Sequence, residues 1–441
     1  MKEYDEWALW TPHPKIAEPA LLEDETADIV IIGGGFTGLN CAIALRDCGV
    51  DVAILEADFC GAGSSGRNAG HLTPTISKDF PTLVKYFGES KAVEFANFAE
   101  RAVLHTESVL KEHNIECDYA PNGNVIGGVH PKQRKGLEHM CEQAARLGIN
   151  TSFLDEDEVR RRKLPPFVLF GALEGHGGQL NPGKYVAGLR KVALEKGVRI
   201  YENTRVTDYQ KQGGKIKVSA NMCSIEADKL IVATNAYTPE TFRKKKSRVF
   251  PLRVTLFRTP VLNPEQREAL EWPGEEGIYT GHEALENYRL TADGRISGGS
   301  KLVQYGYGSK LVSGNRPDIF RQWREIFAQR FGHVPGLEIE QFWGGWIGMT
   351  LDFIPLLETE MDGRVMYGVG FNGHGIAQGT MFGRLLADVA LGQQNGDRDL
   401  FDRRIFPLPP EPFRWMGIKA LTYGYDRADR KTDADIAAGR I

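Results

Sequence analysis

Long hydrophobic runs are missing from this chain of 441 residues. Its apolar stretches, such as Ile29–Ile32, fall far short of the roughly 20 residues that a membrane-spanning helix needs. No transmembrane segment is therefore expected. The opening Met1-Lys2-Glu3-Tyr4-Asp5-Glu6 is acidic and lacks an apolar core, which argues against a secretory signal. Cysteine is sparse. The six (Cys41, Cys48, Cys60, Cys117, Cys141, Cys223) are scattered and form no C-x-x-C pair. That excludes a disulfide framework and a dithiol redox motif, and points to a reducing, cytoplasmic setting. Basic excess is also absent. The formal net charge is −4, so no nucleic-acid partner is read. No metal-spaced His/Cys cluster and no Ser-His-Asp arrangement appear. Hydrophobic residues at 41% and charged residues at 25% make a globular balance, not a disordered or fibrous one.

Glycine is what the chain has in plenty. Fifty glycines are about 11% of the residues, against a usual ~7%, so many tight turns and close backbone approaches are expected. The sharpest segment begins at Asp28. Ile29-Val30-Ile31-Ile32 is a short β-branched run, the mark of a buried parallel strand. Gly33-Gly34-Gly35-Phe36-Thr37-Gly38 follows, then a helical pattern (Leu39, Ala42, Ile43, Leu45) that stops at Gly49. Val52–Leu55 is a second buried strand, ending at Glu56.

Farther along, helical spacing predicts helices over 89–113, 132–147 and 183–196. Strands are expected at 198–203, 215–220, 229–234 and 365–369, the last leading into a helix to about Leu391. Residues 250–345 read as strand-rich and aromatic. Trp7 and Trp10 are expected to anchor an N-terminal arm, and Arg243-Lys244-Lys245-Lys246 to be an exposed loop. The tail from Pro407 mixes Phe413, Trp415, Met416 and Tyr423 with lysine and arginine.

The strand–turn–helix–strand unit carries the chemistry. Gly33 permits the turn, Gly35 lets the backbone approach a pyrophosphate at the helix N-terminus, and Gly38 allows the helix to pack on the strand. Glu56 stands where a carboxylate takes the hydroxyls of an adenosine ribose. No arginine for a 2′-phosphate follows, so FAD or NAD is expected rather than NADP. The loop Gly61–His71, built of small and polar residues, has room to lie along a large flat ligand.

These segments, with Ala233-Thr234-Asn235-Ala236 and Gly370-Phe371-Asn372-Gly373-His374-Gly375, resemble the FAD-dependent D-amino-acid-oxidase and glycine-oxidase family. Trp10, Ser65-Gly66-Arg67-Asn68 and Trp343-Gly344-Gly345-Trp346 look most like its γ-glutamylputrescine oxidoreductase-like branch. The resemblance implies an α/β fold: a discontinuous Rossmann-type FAD-binding domain plus an antiparallel-sheet α+β substrate domain. The expected boundaries are an arm at 1–26, the FAD-binding domain at 27–80, 176–240 and 346–400, the substrate domain at 81–175 and 241–345, and a tail at 401–441. It further implies FAD contacts at Gly33, Gly35, Phe36, Thr37, Gly38, Glu56 and Ala57. In the flavin loop it implies Gly63, Ser64, Ser65, Arg67, Asn68, Ala69, Gly70 and His71. The remaining contacts would come from Val206, Ala233, Thr234, Asn235, Gly370, Asn372, Gly373, His374 and Gly375. The Gly370–Gly375 turn would aim a helix N-terminus at the flavin. Some relatives link flavin covalently through a histidine or cysteine; Asn68 stands at the corresponding loop position and no cysteine follows Cys223, so non-covalent FAD is expected, with His71 as the remaining candidate link.

Members that oxidise α-amino acids carry an arginine just after the Trp-Ala-Gly-like segment, to clamp a carboxylate. Here Trp343–Thr350 contains none. The resemblance then implies oxidation of an amine or N-substituted amine at its C–N bond, with hydride transfer to flavin N5, hydrolysis of the imine to an aldehyde, and reoxidation by O2 to H2O2. A rate rising with pH is expected, because the amine reacts deprotonated. Tyr288, His374, Trp343 and Trp346 are the candidate catalytic or pocket residues, with Arg289 beside Tyr288 and Lys301 as a candidate for oxygen activation. Two alternatives stay open: a dehydrogenase passing electrons to a quinone or carrier, its tail touching a membrane surface, and a non-catalytic flavoprotein subunit.

Overall fold

The computed structural model describes residues 3–6, 10, 17–239, 241–242, 248–403, 405 and 407–439. Trp7 and the basic run 243–246 lie outside the described residues. The β-branched run forms the strand Glu25–Ile32, whose last four residues are all buried. It is central to a mostly parallel sheet in the order Leu356–Glu360, Val365–Val369, Cys223–Val232, Glu25–Ile32, Val52–Leu55, Arg199–Tyr201. In register, Ile29 faces Val52 and Lys229, and Ile32 faces Leu55 and Val232. The hairpin Val206–Gln212 and Lys215–Ala220 extends it from Cys223–Val232. Helices Phe36–Asp47, Pro182–Glu195 and Gly375–Leu391 bury one face, which is why these strands read as continuous hydrophobic runs rather than alternating ones. The helix Glu89–Glu112 joins that same core through Ala102, Val103, Val109 and Leu110. This part of 81–175 therefore packs with the dinucleotide layer.

The second sheet is almost wholly antiparallel. Its order is Gln341–Met349, Phe250–Arg258, Ile296–Gly299, Asn287–Leu290, Gly277–Thr280, Asn124–Gly128, Phe170–Glu174, Thr151–Leu154. The strand Gln341–Met349 is paired along its length with Phe250–Arg258, so it runs unbroken through the expected boundary at 345/346. The helix Pro317–Phe331 packs Phe320, Trp323, Phe327 and Phe331 against Phe257, Ile278, Tyr288 and Ile296 of this sheet. Successive side chains of a strand point to opposite faces. Asn287, next to Tyr288, accordingly turns the other way, toward the first domain.

The tail expected at 401–441 contains a 25-residue helix, Phe413–Ala437. Its inward face is Ile418, Thr422, Tyr425, Asp429 and Asp433, spaced as one helical stripe, with the half-exposed Leu421 at the cavity's rim. That stripe is apolar at one end and acidic at the other, so hydrophobicity alone does not reveal it. Among the described residues no helix is long and apolar enough to cross a membrane.

Candidate functional site

A cavity of about 660 Å³ runs from the carboxyl ends of the parallel strands, under the second sheet, to the tail helix. Ligands bind at this end of open α/β sheets. Its first part is built by the glycine turn. Gly33 takes φ +108°, and a Cβ there would meet the Ala233 carbonyl oxygen at 2.9 Å. A Cβ on Gly38 would meet the Gly33 carbonyl oxygen at 2.0 Å, so only glycine lets the helix sit this close. A Cβ on Gly35 would meet Ser65 Oγ at 2.8 Å. Gly35 supplies no side-chain cap to its helix, whose first turn opens toward the cavity. Glu56 is positioned by backbone: its Oε2 accepts from Gly34 N–H at 2.8 Å and its Oε1 from Asp58 N–H at 3.0 Å. Burial raises its pKa despite these two bonds.

The flavin loop is knitted by its own polar groups. Asn68 Nδ2 donates to the carbonyls of Ser64 and Ser65, and its Oδ1 accepts from Gly70 N–H. Ser65 Oγ accepts from Phe36 N–H at 3.0 Å, and Ser64 Oγ donates to the Trp346 carbonyl. Arg67 turns back to donate to the carbonyls of Ala62 and Glu6. From outside, Trp10 Nε1 donates to the Asn68 carbonyl and packs edge-on to Trp343. Trp343 Nε1 donates to the Arg67 carbonyl.

A second helix N-terminus faces the cavity at Gly373-His374-Gly375, with no side-chain cap. Two asparagines set that turn: Asn235 Oδ1 accepts from Gly370 N–H at 2.9 Å, and Asn372 Oδ1 accepts from Thr350 N–H at 2.8 Å. Uncapped helix N-termini offer N–H donors and partial positive charge to anionic groups. Two of them, a carboxylate and a glycine cradle along one long cavity fit a dinucleotide with a flat ring system.

Most expected site residues meet here. Gly33, Gly35, Phe36, Thr37, Glu56, Ala57, Gly63, Ser64, Ser65, Arg67, Asn68, Ala69, Gly70, His71, Val206, Ala233, Thr234, Asn235, Trp346, Asn372, Gly373, His374 and Gly375 all line the cavity. Gly38 and Gly370 stand just behind the lining and shape it. Tyr288 and Trp343 do not line it. Tyr288 is fully buried on the opposite face of its strand and donates to Glu286 Oε2 at 2.8 Å. Trp343 is a fully buried prop under the flavin loop. Lys301 is also elsewhere: its Nζ donates to Glu286 and Asp433, both at 2.9 Å. Arg330 binds the same two carboxylates at 2.6–3.0 Å. His282, Glu286 and Asp433 come close enough to hold an ion, but these two cations already satisfy the carboxylates.

Sequence reasoning missed the other wall of the cavity. Tyr279, Glu283, Asn287, Ser300 and, from the tail helix, Leu421 and Tyr425 line it. These residues come from separate strands and a helix with no shared motif, so no local signal marks them. Among the described residues Glu283 is the one charged side chain that lines that wall; Arg67 and Arg205 line the end near the glycine turn. The two cavity histidines are neutral. Burial lowers the His374 pKa to about 4. Burial and the neighbouring Arg289 lower that of His71 to about 3.

A sequence model of a family described as FAD dependent oxidoreductase matches residues 28–389. The chain is 30% identical over 395 residues to a gamma-glutamylputrescine oxidoreductase of Escherichia coli (strain K12), covering 89% of each chain. It is 28% identical over 393 residues to a probable oxidoreductase OrdL of Rhizobium meliloti (strain 1021), again covering 89% of each. Among solved structures it is similar to glycine oxidase from Geobacillus kaustophilus, with a TM-score of 0.72, 18% identity, and coverage of 87% of this chain and 100% of that one. L-proline dehydrogenase from P. horikoshii also gives 0.72, at 19% identity, covering 86% and 97%.

Proposed function

The chain belongs to the FAD dependent oxidoreductase family, and from that premise we propose that it oxidises the C–N bond of an amine or N-substituted amine. FAD supplies the two-electron redox chemistry when bound. Gly33, Gly35 and the helix at Phe36 would hold its pyrophosphate, Glu56 its ribose, and the Ser64–His71 loop with the Gly373–Gly375 turn its ring system.

The observation that carries the amine reading is the charge of the substrate wall. An α-amino acid needs a cation for its carboxylate, and among the described residues that wall is lined by Glu283 and by no arginine or lysine, the buried Arg289 standing behind it next to Gly70 and His71. The likeness to a gamma-glutamylputrescine oxidoreductase favours the same class. The chain's part is orientation and exclusion of water. Apolar Phe250, Leu252, Leu256 and Ile347 form the cavity's dry floor, and the tail helix covers its outer end. His71 and His374, neutral at working pH, add no charge of their own to the cavity. FAD is held non-covalently in this reading, and O2 is the electron acceptor. The scattered cysteines favour a cytoplasmic setting.

The test is anaerobic mixing of the yellow holoenzyme with polyamines, γ-glutamyl amines, N-methyl amino acids and D-amino acids. Bleaching by an amine and not by simple D-amino acids is expected, with rapid reoxidation and peroxide on admitting air. Bleaching confined to α-amino acids overturns the amine reading. Slow reoxidation in air turns the acceptor into a quinone or carrier.

A further inference from the structure

The cavity wall carries two buried hydrogen-bond acceptors with nothing to accept. The first is His71 Nε2. Asn124 fixes its state: Asn124 Nδ2 donates to the Leu72 carbonyl at 2.9 Å, so Asn124 Oδ1 is the atom that faces His71 Nδ1, at 3.1 Å. An amide oxygen only accepts, so Nδ1 carries the proton and Nε2 carries the lone pair. Nε2 is buried and has no partner. The second is Asn287 Oδ1. Asn287 Nδ2 donates to Ser300 Oγ, which turns Oδ1 away from Ser300; that oxygen too is buried and without a partner.

The two residues are neighbours. The Asn287 side chain is close enough to the His71 ring to act on its protonation, and Tyr279 packs on the ring with centroids 4.7 Å apart. His71 is 9% exposed and Asn287 2% exposed, and both line the cavity. Buried acceptors without donors are costly, and native proteins rarely leave them so. A ligand that satisfies both must bring two donors. A carboxylate or carbonyl would set lone pair against lone pair.

We propose that His71 Nε2 and Asn287 Oδ1 together accept the two N–H bonds of the substrate's reacting amine nitrogen, and so select a primary amine and fix its orientation. This rests on the amine reading above and adds the residues that recognise it. It also moves His71 from cofactor loop to substrate binding. Neutral His71 suits the task, since a protonated ring would repel an ammonium and donate where acceptance is needed.

Two measurements on holoenzyme test it, both using whichever amine bleaches the wild-type flavin. The first needs no variant. Anaerobic titration of the wild type compares that amine with its hydroxyl isostere, which keeps one donor, and its N,N-dialkyl analogue, which as the free base keeps none. At least ~10-fold weaker binding of both analogues is expected for the loss of one or both hydrogen-bonded donors. The second compares His71→Phe, Asn287→Ala and Asn287→Asp. The first two should each raise the dissociation constant of the amine about 10-fold with FAD retained, and Asn287→Asp should restore or tighten it, because a carboxylate still accepts. Equal binding of amine and isosteres in the wild type overturns the proposal even if no variant folds. So does an unchanged amine affinity in variants whose flavin spectrum or FAD retention is altered, which would assign the pair to the cofactor. If an amine bleaches the flavin but these discriminations fail, this inference falls and the amine reading stands. If no amine bleaches it, both fall.

Discussion

Gly38 shows how a single side chain's absence holds a cofactor site open. The distance of 2.0 Å between a Cβ there and the Gly33 carbonyl oxygen cannot be relieved by a side-chain rotation, because the atom it meets is backbone. Gly38→Ala must lift the helix Phe36–Asp47 off its strand and spoil the pyrophosphate cradle. The purified variant is expected to be colourless or to lose FAD on gel filtration, while Gly49→Ala, with open space around its Cβ, strains only a helix end at φ +78° and stays yellow. His71 and His374 set a second residue-scale expectation. Their folded pKa values lie below the ordinary 6.5, at about 3 and about 4. Above pH 6.5 both are neutral in either state and carry no penalty. As pH falls below 6.5 the unfolded chain binds protons that the folded chain refuses, so stability drops by about 1.4 kcal/mol per pH unit for each histidine, until its folded pKa is reached. Urea unfolding between pH 7 and 4 checks this, and His374→Phe should remove one histidine's share of the slope.

The tail helix is held by electrostatics at one end and covers the cavity at the other. Asp429 accepts from the N–H groups of Glu283 and Ala284 at 3.0 and 2.9 Å, which fixes the loop that carries Glu283. Asp433 closes a buried cluster with Arg330 and Lys301, opposite Glu286. Burial opposes ionisation of Glu286, but Arg330 and Lys301 overcome it and hold its pKa at about 2. Asp433→Asn leaves that cluster one negative charge short, at a cost on the order of 2–3 kcal/mol, given that Asp433 is partly exposed. The expected result is local: faster tryptic cleavage within 413–437 and a raised KM, with FAD retained. Asp426→Asn, which breaks only the solvent-exposed pair with Arg430, should leave the cleavage rate unchanged. The same cluster explains why Tyr288 and Lys301 do not line the cavity. Both are consumed by Glu286, on the face of the sheet that packs on the helix Pro317–Phe331.

At the scale of the whole molecule, one long cavity is shared by both sheets and the tail helix. FAD binding should therefore stabilise the protein as a unit: ligand in 100-fold excess over its Kd adds ~2.7 kcal/mol. A single cooperative transition, shifted upward by FAD, is the expected thermogram. Two transitions with only one of them shifted would separate the sheets energetically. The nucleotide half of this cavity is legible in the sequence because its parts are contiguous. A strand, a glycine turn, a helix and an acid are neighbours in the chain, and the conformations they need restrict which residues serve. The helix stripe of the tail was not legible, since its outer end is bound by charge rather than by apolar periodicity. Facing within a strand was not legible either, which is why Tyr288 stood in for its neighbour Asn287. The sequence by itself determined the βαβ unit and the small, polar loop that lines the cavity, because local sterics and backbone hydrogen bonding decide them. Only the tertiary structure decided that His71, Asn124, Asn287 and Ser300 converge on one wall, because strands distant in the chain become adjacent only when the second sheet forms and turns one face inward.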